Sequence, residues 1–558
     1  MGSTTISNIF FMFGGIAVML FGMRVMGSNL ELIAGNNMKK MLGKMTNNRF
    51  AGVGIGAAVT AIINSSAATT VMLVGFVNVG LMTLTQAASV IMGANIGTTI
   101  TAQILSLSEA GGSALDVSAI AAFIACVGLV LALFIKNEKV NKIGYVMLGV
   151  GMIFIGLKIL SKSVDKIIWE DKDAKILYPQ FEKLFQGNHF PLLLILLGIV
   201  FTALIQSSAA VTGILVALAG ALKFETAVFI ILGSNIGTCV TAMISSIGTS
   251  TNAKRTAMIH LLFNVFGCII CIAPLWIWQD EFATLMETIS GPLRERQIAN
   301  FHTLFNVFTT IVLLPFINVL AKLTEKIIPD KQNVVDEKHR LTFIDDRFME
   351  APAIAAGNIK REIIKMSAIA KENINLSMDM LFNAKDDQSK LIRDNEDAIN
   401  FLTKSITKYL TTLSGKGLSV QDEKKVGSYY HVVSDIERVG DYAENIMEYA
   451  FKLRQDDLSL SNEATEELKE VRDTVNKLFE QSIKAFDERD RSYLVSVDEL
   501  EEKVDLYSVN LENKHLERLR KGTCSPEVGS VYLQTVSNLE RVGDHITNVA
   551  FSITQYNK

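Results

Sequence analysis

The chain has 558 residues, 49% of them hydrophobic, and a formal net charge of −4. This charge gives a nucleic-acid partner no electrostatic support, so none is expected. Residues 1–325 are strongly apolar, whereas residues 340–558 are dense in Lys, Glu and Asp. The division predicts a membrane domain over 1–325, a linker over 326–344 and a soluble domain over 345–558.

The apolar half contains seven runs that are long enough to cross a membrane as helices. They lie near residues 8–28, 84–107, 117–135, 143–160, 226–248, 256–278 and 299–320. Two further runs, near 51–82 and 190–221, are interrupted by Ser-Ser pairs. The first of these is long for one span and short for two. This length predicts a re-entrant hairpin made of two half-helices.

One polar cluster occurs twice at membrane depth. The stretch TAIINSSAATT at 60–70 returns as TALIQSSAAVT at 202–212, with eight of eleven positions identical. Each copy is followed by Gly-x-Asn-Ile-Gly-Thr, which begins at Gly93 and again at Gly233. The repeat units cover about 8–135 and 143–278, and 299–320 is an extra helix. Three spans separate the two starts, so the units are predicted to be inverted in the membrane.

Loop charges predict the orientation. Basic residues cluster in three loops that this topology places on one side, which is then the cytoplasmic side. The loop at 108–116 has no Lys or Arg, and 158–189 is the one loop that fits poorly. The N-terminus is therefore expected outside and the soluble domain in the cytoplasm. The basic residues are Arg24, Lys39, Lys40, Lys44, Arg49, Lys136, Lys139, Lys142, Lys254 and Arg255.

The repeated cluster can bind ions without any fixed charge. A half-helix directs its N-terminal N–H groups to the membrane midplane, where Ser and Thr hydroxyls can bind an oxyanion and oxygen atoms can bind Na⁺. The alternative is that these hydroxyls only bond to their own helix or permit close helix packing. The candidate ligands are Asn64, Ser65, Ser66, Thr69, Thr70, Asn95, Thr98, Thr99, Gln206, Ser207, Ser208, Thr212, Asn235 and Thr238.

The two Asn/Gln-Ser-Ser-Ala-Ala segments and the two Gly-x-Asn-Ile-Gly-Thr segments resemble the type II sodium–phosphate cotransporter family over about 8–320. The resemblance implies an integral protein of the cell membrane that transports inorganic phosphate with Na⁺ as coupling ion, by alternating access, in contact with the lipid bilayer. Asn64 departs from the Gln of the family, which leaves the ion stoichiometry open. The alternatives are a phosphate exporter, a carrier of another oxyanion or a membrane-tethered regulator. A homodimer is one open alternative for the oligomeric state.

A second duplicated motif lies in the last two spans. His260 and Asn264 are spaced i, i+4, and His302 and Asn306 repeat that spacing. Hydrogen bonding between helices is the preferred interpretation, with a proton or cation relay as the alternative. No enzyme is expected, because the chain lacks a Walker-type Gly-Lys-Ser/Thr, a nucleophile–base set and His/Cys zinc spacing.

The soluble half also contains a repeat. Ser-Asp-Ile-Glu-Arg-Val-Gly-Asp at 434–441 matches Ser-Asn-Leu-Glu-Arg-Val-Gly-Asp at 537–544, and two three-helix units are predicted over 345–454 and 461–556. Carboxylates spaced i, i+4 share a helix face and can either bind a cation or form a solvated acidic stripe. The pairs are Glu437 with Asp441, Glu501 with Asp505 and Glu540 with Asp544.

The Glu-Arg-Val-Gly-Asp repeats resemble the PhoU family of phosphate-signalling proteins. This resemblance implies a divalent or iron-type metal on those carboxylates, although Asn400 stands where the repeat has Asp505. The expected fold is all-α. It is a polytopic membrane domain with two inverted repeats and re-entrant hairpins, followed by a soluble PhoU-like helical bundle of two three-helix units.

Overall fold

The computed structural model describes residues 3–43, 48–107, 117–167, 190–330, 338–350, 352–383, 387–416, 418 and 420–554. The described residues are overwhelmingly helical and contain no strand, which confirms the all-α fold class. They form two compact units, Met1–Gln332 and Asn333–Lys558. The loop predicted at 108–116 and most of 158–189 lie outside the described residues.

The first unit contains fourteen α-helices within its described part. Six helical spans are long and apolar enough to cross a membrane, and a bent helix pair is a seventh candidate, so this is a membrane protein. The helices are α1 Ser3–Gly43, α2 Arg49–Ile63, α3 Ser66–Asn78, α4 Leu84–Ser106, α5 Val117–Phe134, α6 Glu138–Asp165, α7 Pro191–Ile205, α8 Ser208–Ala217, α9 Phe224–Gly237, α10 Cys239–Ser245, α11 Thr251–Ile277, α12 Gln279–Ser290, α13 Arg294–Leu313 and α14 Ile317–Ile327.

Both Ser-Ser clusters lie at breaks between half-helices. The chain bends by 119° between α7 and α8. In the first repeat, α4 runs parallel to α2, because residues 52 and 57 of α2 approach residues 89 and 97 of α4 respectively. Parallel neighbours require the intervening α3 to fold back. Residues 49–78 therefore form a hairpin, as predicted.

Glycines set the packing within each repeat. A Cβ atom added to Gly93 would lie 2.0 Å from the carbonyl oxygen of Val53, and one added to Gly233 would lie 1.9 Å from that of Ile195. Backbone oxygens cannot move aside as a flexible side chain can. The first hairpin helix (α2 or α7) therefore touches the helix that follows the hairpin (α4 or α9) at the same place in both repeats, and only glycine fits there. We call α4 and α9 the scaffold helices.

Helices α1 and α6, the first helices of the two repeats, pack against each other through equivalent residues. A Cβ on Gly15 would lie 2.8 Å from the Gly156 carbonyl oxygen, and a Cβ on Gly149 would lie 2.7 Å from the Gly22 carbonyl oxygen. Low-numbered residues of one helix contact high-numbered residues of the other, so the helices are antiparallel. This is the relation that an inverted repeat requires.

Three details of the membrane unit differ from the expectation. Helix α1 continues to Gly43, because no proline interrupts residues 29–43, so Arg24, Lys39 and Lys40 lie on a helix and not in a loop. The span expected at 226–248 runs instead from Phe224 to Ser245, with a local irregularity at Thr238. The amphipathic α12, which begins one residue after α11, was not anticipated.

The second unit consists of two three-helix bundles in chain order, which agrees with the prediction. In the first bundle the third helix packs on the other two, and the same holds in the second bundle. The helices are α15 Pro352–Phe382, α16 Ser389–Ser414, α17 Val420–Gln455, α18 Asn462–Glu488, α19 Tyr493–Arg520 and α20 Pro526–Phe551.

The segment 338–350 before α15 is held on the first bundle. The fully buried carboxylate of Glu362 accepts hydrogen bonds from the backbone N–H groups of Thr342 and Ile344, at 2.9 and 3.2 Å. The Arg361 guanidinium lies 4.3 Å from the centre of the Phe343 ring. The end of the expected linker is therefore structurally part of the second unit.

Candidate functional site

The two hairpin tips have the same backbone geometry. Asn64 and Gln206 end the first half-helices with φ of 61° and 60°, in the left-handed region that few non-glycine residues adopt. Ser65 and Ser207 then cap the second half-helices, accepting hydrogen bonds from Ala68 N and Ala210 N at 3.1 and 3.2 Å. Each tip thus brings a helix C-terminus and a helix N-terminus together, which suits a cation and an anion respectively.

The side chains of the two tips are engaged differently. Thr101 of α4 donates a hydrogen bond to Asn64 Oδ1, whereas the side chain of the exposed Gln206 makes no hydrogen bond within the described residues. Ser66 and Ser208 are 5% and 3% exposed as whole residues, and their hydroxyls make no side-chain hydrogen bond in that part of the chain either. These two hydroxyls and the Gln206 amide are thus available to a ligand.

A buried threonine at the start of each polar cluster has a different partner in each repeat. Thr60 Oγ1 donates to Thr69 Oγ1 across the first hairpin at 3.0 Å. The position equivalent to Thr69 is Val211, and Thr202 Oγ1 donates instead to Ser234 Oγ of α9 at 2.8 Å. The exchange satisfies a fully buried hydroxyl in both repeats.

Most of the other predicted ligands on helices donate a side-chain hydrogen bond to a nearby backbone carbonyl oxygen. The carbonyl acceptors lie three or four residues earlier in the same helix, or on the capping residue before it, at 2.8–3.0 Å. This is the local bonding that the alternative interpretation describes. Each oxygen still has lone pairs for a cation. The residues are Thr69, Thr70, Asn95, Thr98, Thr99 and Thr238, whereas the buried Thr212 hydroxyl makes no hydrogen bond within the described residues.

Asn235 differs from its counterpart Asn95, because side chains of α13 form hydrogen bonds with it. Its Nδ2 lies 3.5 Å from Asn306 Oδ1, and its Oδ1 lies 3.4 Å from His302 Nε2. Asn95 donates only to Ile91 O of its own helix. The interhelix hydrogen bonding expected of the second duplicated motif is therefore present at His302 and Asn306.

The two repeats meet through their second half-helices. Helix α8 packs on α4 of the first repeat, and α3 packs on α10 and α11 of the second. Among the described residues no hydrogen bond joins one tip to the other. The structure therefore packs the second half-helix of each hairpin against the opposite repeat.

Carboxylates of the second bundle converge in the soluble unit. One oxygen each from Glu501, Asp505 and Asp544 lies within 4.8 Å of the other two. Partial burial and the neighbouring Asp505 and Asp544 raise the pKa of Glu501, and partial burial followed by Asp544 and Asp505 raises the pKa of Glu540. Mutual repulsion of this kind is relieved by a bound cation.

The first bundle forms a related set that includes a residue absent from the predicted ligands. Burial, followed by the charges of Asp441, Glu444 and Glu437, raises the pKa of Glu396 to about 7. Its Oε2 is buried without a hydrogen-bond partner, while Asn400 donates to its Oε1 at 3.2 Å. The match of Glu396 to Glu501 in the internal repeat was the signal that could have identified it.

Comparisons with known proteins assign both units. The family model described as Na⁺/Pi-cotransporter matches residues 18–162 and 175–286, and the PhoU domain model matches residues 363–450 and 468–553. The four segments follow the order of the four internal repeats. No solved structure was significantly similar to the chain.

Relatives exist both for nearly the whole chain and for parts of it. The candidate inorganic phosphate export protein YjbB of Salmonella typhimurium is 23% identical over 97% of this chain and 96% of its own length. The uncharacterised protein YqeW of Bacillus subtilis is 29% identical over 57% of this chain and 97% of its own. The phosphate-specific transport system accessory protein PhoU homolog 1 of Thermotoga maritima is 24% identical over 34% of this chain and 82% of its own.

Neither family is an enzyme class, which agrees with the lack of a catalytic motif. The chain therefore belongs, through its membrane unit, to the Na⁺/Pi-cotransporter family, and it carries a PhoU domain as its second unit.

Proposed function

We propose that the protein is a Na⁺-coupled transporter of inorganic phosphate that works by alternating access. The observation that carries the proposal is the pair of equivalent tips, each with a buried serine, Ser66 or Ser208, at a helix N-terminus, whose hydroxyl makes no side-chain hydrogen bond within the described residues. A site without fixed charge attracts an anion strongly only when a cation is bound nearby, and the reverse also holds. Such mutual dependence makes the binding of phosphate and Na⁺ obligatorily coupled.

The proposed ligands divide by chemistry. Hydroxyls and free N–H groups at the tips donate to phosphate, which favours Ser65, Ser66, Ser207 and Ser208. Amide, hydroxyl and carbonyl oxygens of the tips and of the scaffold helices coordinate Na⁺. The candidates for that role are Asn64, Thr69, Thr70, Asn95, Thr98, Thr99, Gln206, Thr212, Asn235 and Thr238.

Uptake of radiolabelled phosphate into proteoliposomes tests this function. An inward Na⁺ gradient is expected to raise the initial uptake rate at least about tenfold over an equal K⁺ gradient, because coupling requires both ligands. Liposomes without protein are the control. Equal uptake under the two gradients would show that transport is not coupled to Na⁺.

A second candidate is phosphate export, and it is favoured by the name of the Salmonella relative, an inorganic phosphate export protein. Coupling does not fix direction, because the gradients decide which way a symporter runs. Preloading the proteoliposomes with phosphate and reversing the Na⁺ gradient measures efflux by the same molecule. Efflux that is clearly faster than uptake under the mirror-image gradient supports an exporter, whereas efflux that is far slower than uptake excludes it.

We place the N-terminus outside and the PhoU domain in the cytoplasm. The Lys and Arg residues at 136–142 and at 254–255 support this orientation by the positive-inside rule. Cysteine labelling at the two chain ends in intact and permeabilised cells tests it. Light scattering of the solubilised protein distinguishes a monomer from the homodimer that remains the alternative.

We further propose that the PhoU domain binds a divalent or iron-type cation and regulates transport. The converging carboxylate oxygens are hard ligands that fit such a cation, and no basic side chain is paired with Glu501, Asp505 or Asp544 among the described residues. The proposed ligands are Glu437, Asp441, Glu501, Asp505, Glu540 and Asp544, with Glu396 completing the first set.

Elemental analysis of the purified full-length chain tests the metal. The wild type is expected to retain at least one equivalent of metal after dialysis, and Asp505→Asn with Asp544→Asn to lose most of it, because two charged oxygens leave the second set. Glu480→Gln is the matched control, since that carboxylate pairs with Lys371 at 2.9 Å. Equal metal content in all three proteins would leave a solvated acidic stripe as the explanation.

A further inference from the structure

Helix α13 lies outside both repeats and contacts the scaffold helix of each. Gln103 of α4 donates to Thr303 Oγ1 at 2.8 Å and to Asn300 Oδ1 at 3.0 Å. At the other end of the contact, Thr310 Oγ1 donates to the carbonyl oxygen of Met92 at 3.4 Å. On its α9 side, the side-chain hydrogen bonds of α13 converge on Asn235.

The hydrogen bonds around Asn235 follow from one another. Asn306 Nδ2 donates to the carbonyl oxygen of His302 at 2.8 Å, so its Oδ1 faces Asn235. Asn235 must then present Nδ2 to Asn306, which leaves its Oδ1 towards His302 Nε2. An amide oxygen only accepts, so Nε2 carries the proton. All three side chains are at most 3% exposed, so water does not compete.

The other duplicated histidine makes no such contact. Both ring nitrogens of His260 are buried without a partner, and Asn264 donates to Cys239 Sγ at 3.3 Å and not to a scaffold asparagine. In the first repeat, Asn95 Oδ1 accepts no hydrogen bond among the described residues. The two scaffold asparagines are therefore chemically different although their sequence motifs match.

We propose that His302 is a positioning residue for transport. Its Nε2–H fixes the Asn235 amide and so holds α9 against α13, which leaves Asn95 as the scaffold asparagine whose oxygen is free to coordinate the cation. This inference rests on the proposed Na⁺-coupled transport. It adds that the two scaffold asparagines have different roles, cation coordination for Asn95 and helix positioning for Asn235.

The test combines variants in the proteoliposome uptake assay. His302→Leu and Asn235→Ala are each expected to lower uptake about tenfold, and the double variant to be no worse than either, because both remove the same contact. His302→Gln, which keeps a donor of suitable length, is expected to restore uptake to within about threefold. The equivalent His260→Leu is the matched control and is expected to stay within about threefold of wild type.

A structural role alone would not produce this pattern. Asn95→Ala is expected to raise the Na⁺ concentration for half-maximal uptake about tenfold. Its loss of uptake is expected to multiply with the loss caused by His302→Leu, since the two residues act separately. Multiplied losses in the His302/Asn235 pair, or wild-type uptake by His302→Leu, would overturn the inference. If His302→Leu does not fold, His302→Asn, which is too short to reach Asn235, replaces it. Failure of the proposed function is distinguishable, because the wild type itself would then show no Na⁺-driven uptake.

Discussion

Replacing Ser208 by Ala is expected to lower the rate of Na⁺-driven phosphate uptake about tenfold or more, and replacing Ser66 as well to multiply the loss. Both serines are buried at the first residue of a half-helix, and their hydroxyls make no side-chain hydrogen bond among the described residues. A hydrogen bond from such a group to a charged phosphate oxygen is worth about 1.5–3 kcal/mol, since water is largely excluded. Initial uptake rates in proteoliposomes measure the effect.

The neighbouring serine would be a less informative choice. Ser207 accepts a hydrogen bond from Ala210 N, so its replacement also removes a helix cap worth about 1 kcal/mol. Ser163→Ala is the matched control, because Ser163 is 5% exposed and its hydroxyl donates to Ile159 O of its own helix at 2.6 Å. If Ser208→Ala transports as well as Ser163→Ala, the tip hydroxyls serve packing only.

Replacing Gly233 by Ala is expected to abolish transport and to destabilise the membrane unit by about 3 kcal/mol or more. The added Cβ would lie 1.9 Å from the carbonyl oxygen of Ile195, so α7 and α9 must separate. Gly220→Ala is the control, because nothing lies within 4 Å of the Cβ position there. The fraction of protein that stays monodisperse after heating in detergent measures stability. A Gly233→Ala protein as stable as Gly220→Ala would contradict the packing described above.

Internal duplication made much of this fold predictable. Matching 60–70 to 202–212 indicated two hairpins before any helix was placed, and matching 434–441 to 537–544 indicated two bundles. These predictions succeeded because residues that must form the same local geometry, such as the capping serines after Asn64 and Gln206, were retained at the same spacing in both copies.

Differences between the copies were not predictable, because they depend on distances in space. Nothing in the local sequence shows that Thr60 bonds to Thr69 while Thr202 bonds to Ser234. The contact of Asn235 with His302 joins residues 67 positions apart, and hydrophobic periodicity carries no information about such a pair. The length of α1 was missed for a different reason, because residues 29–43 continue the helix beyond the apolar run and hydropathy does not mark such an extension.

The reciprocal contact between α1 and α6 has an evolutionary consequence. Gly15 meets Gly156 as Gly149 meets Gly22, so the surface is complementary to its own inverted copy. Two identical half-length chains, one inserted in each orientation, would form the same interface as a symmetric dimer. The membrane unit therefore has the geometry expected from fusion of such a dual-topology ancestor. Once the halves were joined in one chain, a helix outside the repeats such as α13 could contact them unequally.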